Sequence, residues 1–464
     1  MNWTRVLKMA LHKVNSRRIP SLLLVLALLF ASSPISADSN PNASSVDFIQ
    51  LKEEHSASNL NQDRAYWPTS SWATSTPEAQ GMSSERLDSM IDLIYAADLN
   101  IDAVIVVRNG IIVLEEYPDP NYDVSTLHMI QSCTKQFTST LMGIAIENGF
   151  IESVDARVVD FFSDWDIENL DDRKRNITIR HLLEWTDGLD WHELDYPYDD
   201  PRNTLGQMWV SDNAVKYCLD RPMVRDPGEQ WYVNSGTMII AGGIITRVTG
   251  LTVPEFAEEH LFGSIGIDSY HWSMIGGGSA GGWYHSDGGL YLTPRDMARY
   301  GFLMLNNGTW DQEQIVSQQW VGDATNLQVQ TTWGQPYSGF GYQWYIMPSL
   351  GAYAALGHYQ QSIFVVPEHD LVVVFTGNIA DGDPYWDAGF LEYNIIRAVT
   401  EYRPPESIAT TDIGITNSTT TSSGYDTSEL IALQNTVFVL VVAGVLALLT
   451  FAASGRILTR RNSR

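Results

Sequence analysis

Residues 131–137 read Gln-Ser-Cys-Thr-Lys-Gln-Phe and open a segment with helical periodicity. Apolar side chains recur after this point at the spacing of one helix face, at Phe137, Leu141, Ile144 and Ala145. With Gly149 as a natural stop, the spacing predicts a core-facing helix over residues 132–148. Ser132 and Lys135 lie nearly one helical turn apart, so their side chains project from the same side. The lysine amine can therefore reach the serine hydroxyl.

The pairing of Ser132 with Lys135 has a chemical interpretation. A serine hydroxyl is a weak nucleophile at neutral pH, and a lysine becomes its base when burial or a nearby cation lowers the lysine pKa. A helix N-terminus adds free backbone N–H groups that can hold the oxyanion formed on attack. This arrangement suits acyl transfer. The alternative interpretation of the pattern is an ordinary helix start with a solvated lysine.

The composition is that of a large globular protein with a strong acidic bias. The chain has 464 residues, of which 44% are hydrophobic and 11% aromatic, enough for two or three domain-sized units. Its formal net charge is -27. Nucleic acids bind to clustered Lys and Arg side chains, which the central chain lacks, so we expect no nucleic-acid partner.

Cysteine and histidine usage indicates neither a disulfide framework nor a metal centre. Cys133 and Cys218 are the two cysteines of the chain, and we expect Cys133 to be a small buried thiol, with a Cys133–Cys218 bridge as the alternative. No Cys/His spacing matches a zinc site, and His192-Glu193 lacks the second histidine of the metalloprotease pattern. We therefore predict a protein without a metal or other cofactor.

The N-terminal segment has the layout of a secretory signal. Basic residues precede an apolar run at residues 19–31, and a small-residue stretch ends at Ala37. Residues 1–37 are thus predicted to be a signal peptide or, if left uncut, an N-terminal anchor. Residues 38–71 are rich in Ser, Asn and Asp and are predicted to be a flexible spacer.

The C-terminal segment predicts a tether to a membrane. Residues 404–430 form a Ser/Thr-rich stalk, and residues 431–455 contain an apolar run long enough for a transmembrane helix. The basic residues 456–464 are expected on the cytoplasmic side, which would place the folded domain at the cell surface or in the periplasm. The alternative is a sorting tail that is removed after export.

Two hairpins, one near each end of the central region, predict the fold class. Residues 103–107 and 111–115 flank Asn109-Gly110, and residues 362–366 and 371–375 enclose a second turn. Further helices are predicted at residues 83–97, 235–248, 293–305 and 386–400. We expect an α+β fold in which strands from opposite ends of the chain form one antiparallel β-sheet flanked by helices.

The region between the hairpins is predicted to be a mainly helical subdomain with one unusual loop. Residues 151–219 have a helical and loop-rich pattern, and residues 190–203 are crowded with aromatic and acidic side chains. This loop is interpreted either as a surface turn or as a wall of a substrate cleft. Asn234 or Ser235 is predicted to cap the helix that follows it.

Three short motifs together carry a resemblance to a known family. Ser132-x-x-Lys135 is followed by Tyr232-Val-Asn234 and then by Gly357-His-Tyr-Gln-Gln361. Over residues 72–403 the chain resembles the serine β-lactamase and penicillin-binding-protein superfamily. It is most similar to the class C-like serine hydrolase branch, which includes DD-peptidases, esterases and the aminohexanoate-dimer hydrolase. The resemblance implies a β-lactamase/transpeptidase-like fold.

The resemblance also implies a role for each motif residue. Ser132 would attack a carbonyl to form an acyl-enzyme, Lys135 would take its proton, and Tyr232 would relay a proton to the leaving group and later activate water. Asn234 would hydrogen-bond Lys135 or a substrate amide. The oxyanion hole would consist of the backbone N–H groups of Ser132 and Gln361.

The third motif departs from the family pattern. His358-Tyr359-Gln360 stands where the family has a motif with glycine, and these side chains would narrow the cleft beside the oxyanion hole. The lysine or hydroxyl that would bind the carboxylate of a β-lactam is missing. A small amide or ester therefore fits better than a bicyclic drug.

The resulting hypothesis is a membrane-tethered, extracytoplasmic serine hydrolase. Its partners would be the membrane, through the C-terminal helix, and a small-molecule or peptide-like amide or ester. One alternative is a non-catalytic sensor or binding ectodomain, and another is a transpeptidase or other acyl transferase. Trapping of a covalent adduct on Ser132 separates these classes.

Overall fold

The computed structural model describes Arg64 and residues 66–279, 281–379 and 386–400. The predicted signal or anchor, most of the spacer, the stalk, the transmembrane helix and the basic tail lie outside the described residues, so they stay predictions. Within the described part of the chain, no single helix has the length and apolar character needed to cross a membrane. A pair of helices bent by 74°, Gly236–Thr249 and Val253–Ile265, passes by length and composition alone.

The fold is built on one antiparallel sheet. Its eight strands run in the order β2-β1-β13-β12-β11-β10-β9-β8, and smaller sheets join β3-β5-β4 and β6-β7. The strands are β1 Ile101–Arg108, β2 Ile111–Glu116, β3 His128–Met129, β4 His271–Trp272, β5 Leu290–Leu292, β6 Thr309–Trp310, β7 Glu313–Gln314, β8 Val329–Gln330, β9 Gly339–Phe340, β10 Tyr345–Met347, β11 Ala352–Gly357, β12 Gln361–Val366 and β13 Leu371–Gly377.

Helices cover the sheet and fill the region between its two ends. The α-helices are α1 Ser84–Ala96, α2 Thr134–Glu147, α3 Asp172–Arg175, α4 Ile179–Leu183, α5 Thr204–Trp209, α6 Ala214–Asp220, α7 Gly236–Thr249, α8 Val253–Ala257, α9 Gly263–Ile265, α10 Pro294–Leu305, α11 Gln318–Thr325 and α12 Asp387–Phe390. Among the shorter helical turns, Gln131–Cys133 is a 3-10 turn that leads directly into α2.

Side-chain alternation gives the sheet two apolar faces. On β1, Ile105 and Val107 belong to one buried cluster, whereas Val104 and Val106 belong to the other. Successive side chains of a strand point to opposite faces, so a strand that is apolar at every position must be covered on both sides. Helix α10 packs on the first face, and α1 and α12 pack on the second.

The predicted fold class is confirmed in its main feature. Strand β1 pairs antiparallel with β13, so strands from opposite ends of the region lie side by side in the sheet. Both predicted hairpins form, and Asn109 and Gly110 take φ values of 56° and 78°, the conformation that a two-residue hairpin turn requires. The mainly helical region is also present, as α3 to α6.

The predicted helices form with small corrections. Thr293 accepts a hydrogen bond from the Asp296 N–H, and Pro294 is the first residue of α10, as expected. The predicted helix over residues 386–400 is instead α12 followed by a π turn at Leu391–Ile395 and a 3-10 turn at Ile396–Ala398.

Candidate active site

Ser132 lies in the 3-10 turn that joins β3 to α2. The N–H of Ile130 bonds to the carbonyl of Leu290 at 2.9 Å, which ties the start of the turn to β5. Gln131 has a φ of 51°, in the left-handed region that non-glycine residues rarely adopt. Such backbone strain clusters at functional sites because the surrounding structure has to hold it in place. Ser132 itself is half-buried.

Lys135 meets Ser132 as its spacing predicts. The Lys135 Nζ lies 2.7 Å from the Ser132 Oγ and donates a hydrogen bond of 2.8 Å to the carbonyl oxygen of Asp287. The lysine side chain is buried. Burial lowers its pKa, although the charges of Asp287 and Glu193 oppose the shift. A buried lysine with a lowered pKa is suited to take a proton from a neighbouring hydroxyl.

A His–Asp pair beside Lys135 escaped the sequence prediction. His285 Nδ1 lies 2.8 Å from an oxygen of the buried Asp287 carboxylate. Burial alone would raise the pKa of Asp287, but the charges of His285 and Lys135 help to hold that pKa below its usual value. The carboxylate is thus ionised next to the lysine. Its signal in the sequence is a His-x-Asp triplet inside the glycine-rich stretch at residues 276–289, which has no helical or strand periodicity to show that it approaches Lys135.

Tyr232 contacts the acidic loop and not the serine–lysine pair. Its hydroxyl donates a hydrogen bond of 3.2 Å to Asp195, and none of the hydrogen bonds among the described residues joins it to Ser132 or Lys135. Burial first, and then the neighbouring Asp195 carboxylate, raise the pKa of Tyr232 to about 12. The negative charge of Glu193 works to raise the pKa of both Tyr232 and Lys135.

Asn234 is buried and makes a different contact from the predicted one. Its Nδ2 donates to the Asp187 carboxylate at 2.9 Å, and its Oδ1 has no hydrogen-bond partner among the described residues. Among the hydrogen bonds of the described residues, none joins Asn234 to Lys135, and the alternative role of binding a substrate amide stays a prediction. Ser235 is the N-cap residue of α7, one of the two predicted alternatives, but its side chain makes no capping hydrogen bond, and its hydroxyl donates to Glu193 at 2.9 Å.

His358 and Gln361 lie where the motif places them, at the turn between β11 and β12. A Cβ on Gly357 would stand 2.6 Å from the carbonyl oxygen of Ile130 and 3.1 Å from the Gln131 Cβ. The end of β11 therefore packs directly against the turn that carries Ser132. The carbonyl of Gln361 also accepts a hydrogen bond from the Cys133 thiol at 3.4 Å.

The absence of glycine from this turn has a visible consequence. Tyr359 and Gln360 take φ values of 61° and 72°, a conformation that glycine adopts without cost and other residues rarely adopt. The Gln360 side chain is buried and accepts a hydrogen bond from the Trp386 N–H at 3.3 Å. The hydrogen bond between Gln360 and Trp386 thus stabilises the left-handed conformation of the turn.

The acidic loop at residues 190–203 borders the site. The ring of Tyr198 lies 5.8 Å from that of His358, and Asp195 bonds to Tyr232 as described above. The interpretation of this loop as a wall of the site therefore fits the structure better than that of a remote surface turn.

The two cysteines lie apart from each other in the buried core. Cys133 and Cys218 are both free and buried, so the expected buried thiol is confirmed and the bridge between them is not formed. Among the described residues, no group of three or more His, Cys, Asp and Glu side chains is arranged to hold a metal ion.

The fold and the site together define a class of protein. The sheet is antiparallel and has helices on both faces. A serine hydroxyl meets a buried lysine at the start of α2, the first helix after the β1–β2 hairpin. These are the features of a serine hydrolase of the β-lactamase fold. A family model described as Beta-lactamase matches residues 97–393, and the chain belongs to this family.

Individual relatives are hydrolases and acyltransferases. The 6-aminohexanoate-dimer hydrolase of Paenarthrobacter ureafaciens is 24% identical over 340 residues, which cover 68% of this chain and 83% of that protein. The monacolin J acid methylbutanoyltransferase of Aspergillus terreus is 28% identical over 160 residues, 32% of this chain and 38% of the relative. The D-amino acid amidase of Ochrobactrum anthropi SV3 has the same fold, with a TM-score of 0.54 at 14% identity, over 68% of this chain and 99% of that one.

Proposed function

We propose that this protein is a membrane-tethered, extracytoplasmic serine hydrolase that cleaves an amide or ester through an acyl-Ser132 intermediate. The contact of 2.7 Å between the Lys135 Nζ and the Ser132 Oγ carries the proposal. A neutral lysine at this distance takes the serine proton as the oxygen attacks the substrate carbonyl. Burial keeps the lysine pKa low, which favours the neutral form that this step requires.

The oxyanion formed on attack needs hydrogen-bond donors at the same place. We assign this role to the backbone N–H groups of Ser132 and Gln361, because the Cys133 thiol bonds to the Gln361 carbonyl and so ties the start of β12 to the serine turn. Donors of this kind that are fixed before the reaction contribute about 10²–10³ in rate. His358, at the same turn, and the unpartnered Oδ1 of the buried Asn234 are assigned to substrate binding.

The substrate is proposed to be a small or peptide-like amide or ester. The relatives act on such bonds, since their names include an aminohexanoate-dimer hydrolase and an amidase. The Gln360 side chain is buried against Trp386 and does not enter the cleft, so the preference for a slim acyl group over a bulky ring system rests on Tyr359 and on the missing lysine or hydroxyl that would bind a β-lactam carboxylate. Neither a metal nor another cofactor takes part in this mechanism.

The location outside the cytoplasm rests on the sequence. Residues 1–37 carry the signal-like pattern, and residues 431–455 carry the apolar run followed by basic residues. Export through the first segment and retention by the second would leave residues 72–403 facing outward.

Covalent labelling tests the reaction. The intact protein is treated with a fluorophosphonate probe and its mass is measured, with Ser132→Ala as the active-site variant and Ser125→Ala, an exposed serine, as the matched control. We expect one adduct on the wild type and on Ser125→Ala, and none on Ser132→Ala. An adduct that persists in Ser132→Ala would overturn the assignment of the nucleophile.

Turnover separates a hydrolase from a sensor. Release of product is measured from p-nitrophenyl esters, short linear amides, a D-Ala-D-Ala peptide and a cephalosporin. We expect hydrolysis of at least one ester or linear amide and little or none of the cephalosporin. A labelled protein that turns over none of them would favour the non-catalytic ectodomain.

The match to a methylbutanoyltransferase supports acyl transfer as a second candidate. An acyl-enzyme is common to both reactions, and only the acceptor differs. Adding an amine or alcohol to the ester assay decides between them, because a transferase forms the acylated acceptor in preference to the free acid.

A further inference from the structure

A chain of hydrogen bonds runs from Tyr232 into the acidic loop. The Tyr232 hydroxyl donates to Asp195 Oδ2 at 3.2 Å, and the same oxygen lies 2.7 Å from His192 Nδ1. His192 Nε2 lies 2.9 Å from Asp190 Oδ1. The second oxygen of Asp190 accepts from the Arg221 guanidinium at 2.7 Å. Tyr232 is thus the inner end of a five-residue chain that ends on the Arg221 guanidinium.

The loop that carries this chain is anchored at the start of α7. The buried Glu193 carboxylate accepts hydrogen bonds from the Ser235 N–H at 2.7 Å and from the Trp191 indole N–H at 2.5 Å. The Asn203 side chain closes the loop by donating to the Glu193 carbonyl at 3.0 Å. Since Ser235 is only three residues beyond Tyr232, the same element fixes both partners of the Tyr232–Asp195 bond.

Several charged groups surround the chain. The His192 ring lies between the carboxylates of Asp190 and Asp195, within hydrogen-bond distance of both, and the Arg221 guanidinium donates to Asp190. The other charged groups that face Tyr232 are Glu193 and Arg225, whose guanidinium lies 5.4 Å from the ring centre of Tyr232.

We propose that Asp195, held in place by His192, receives the proton that Tyr232 gives up when water attacks the acyl-enzyme. This inference rests on the function proposed above. Because the hydroxyl hydrogen points to Asp195, the lone pairs of the Tyr232 oxygen are left for the attacking water. Asp195 acts through Tyr232 and is therefore a positioning residue.

The proton and bond changes balance without another reagent. As the water oxygen bonds to the acyl carbon, its proton moves to the Tyr232 oxygen and the proton of Tyr232 moves to Asp195. When the bond between that carbon and the Ser132 Oγ breaks, the proton returns through Tyr232 to the serine. The pKa of about 12 for Tyr232 supports this relay. At neutral pH very little Tyr232 is phenolate, so the phenol can accept the proton of water only if its own proton moves to another group.

Asp195→Asn tests the relay, since asparagine keeps an acceptor oxygen for Tyr232 but cannot hold the proton as a carboxylate does. Acylation is read from the burst of p-nitrophenol and deacylation from the steady-state rate, with the acyl-enzyme followed by intact mass. We expect acylation within about threefold of wild type and deacylation slower by on the order of 100-fold, in the range typical of a lost proton-transfer group. Asp195→Glu should restore part of the deacylation rate.

Two further variants keep the result interpretable. Asp199→Asn changes an exposed carboxylate of the same loop and should leave both steps unchanged. In a Tyr232→Phe background, Asp195→Asn should add little to the loss, because the two residues act as one unit.

If Asp195→Asn slows acylation and deacylation equally, or deacylates at the wild-type rate, the inference is overturned. The acyl-enzyme of the wild type would still support the proposed hydrolase in that case. If the wild type forms no adduct on Ser132, the proposed function fails and the relay fails with it.

Discussion

Lys135 shows how burial converts an ordinary side chain into a base. Its Nζ has one neutral neighbour in Ser132 and one in the Asp287 carbonyl, and its burial disfavours the charged form. Attack by Ser132 on the substrate requires the neutral amine of Lys135, and the fraction of neutral amine increases as the pH rises. The proton affinity of this single group therefore decides the pH at which acylation becomes fast.

We predict that the acylation rate rises with pH and levels off below the usual lysine value of 10.5, because burial lowers the Lys135 pKa from that value. Stopped-flow measurement of the burst phase across a pH series checks this. In Lys135→Arg the side chain stays protonated throughout, and acylation should fall by on the order of 10²–10⁴-fold. Lys216→Arg, which keeps a surface ion pair with Asp220, should behave as wild type.

Local spacing predicted the Ser132–Lys135 contact because both residues belong to one helical turn. The contacts of Lys135 with Asp287 and of Tyr232 with Asp195 were not predictable in this way. Each of these joins residues far apart in sequence, and neither partner follows a periodic pattern. The sequence does place His358 and Gln361 beside the serine through the family motif, but it does not show that Gln360 adopts a left-handed conformation.

Helix α2 is tightly packed against the segments around it. Nearly all of its side chains are buried, and polar ones such as Thr138 and Ser139 donate to carbonyl oxygens of neighbouring segments at 2.7 and 3.0 Å. Gly143 faces the indole of Trp320, where a Cβ would lie within 2.5 Å of three ring atoms. A glycine inside a helix is normally unfavourable, so its presence here follows from this close approach.

Gly143→Ala should therefore destabilise the protein although alanine is the better helix former. The gain in helix propensity is at most about 1 kcal/mol, whereas overpacking a core typically costs about 1–3 kcal/mol. Thermal or urea unfolding measures the net change. Gly389→Ala, in α12 where nothing lies within 4 Å of the added methyl group, is the matched control and should not lower the midpoint. Equal midpoints for the two variants would contradict the packing argument.

Elements with long regular patterns were predictable, and short ones were not. The hairpins were found because a strong turn signal stands between two apolar runs. Strands β8, β9 and β10 have two or three residues each and no alternation to detect. Ser235 does occupy the N-cap of α7, but the contact of its hydroxyl with Glu193 was not predictable, because that carboxylate comes from a loop far away in sequence.

At the scale of the whole molecule, the proposed tether gives a direct prediction. We expect the full chain in the membrane fraction of the cells that express it, and a chain ending at residue 403 in the soluble exported fraction. The reason is that residues 431–455 supply the apolar run, whose transfer into lipid is favourable for most of its side chains.

Fractionation and immunoblotting measure the distribution. Deleting only residues 456–464 is the control, since it leaves the apolar run in place. A truncated chain that stays with the membranes would show that residues 1–37 act as an uncut anchor.

The order of the strands also bears on when the chain can fold. Strands β1 and β13, which pair along their length, are made at opposite ends of the domain during synthesis. At a synthesis rate of about 5–20 residues per second, roughly 10–50 s pass between the synthesis of β1 and that of β13. Until β13 is made, the edge of β1 that it later covers is unpaired and prone to aggregation.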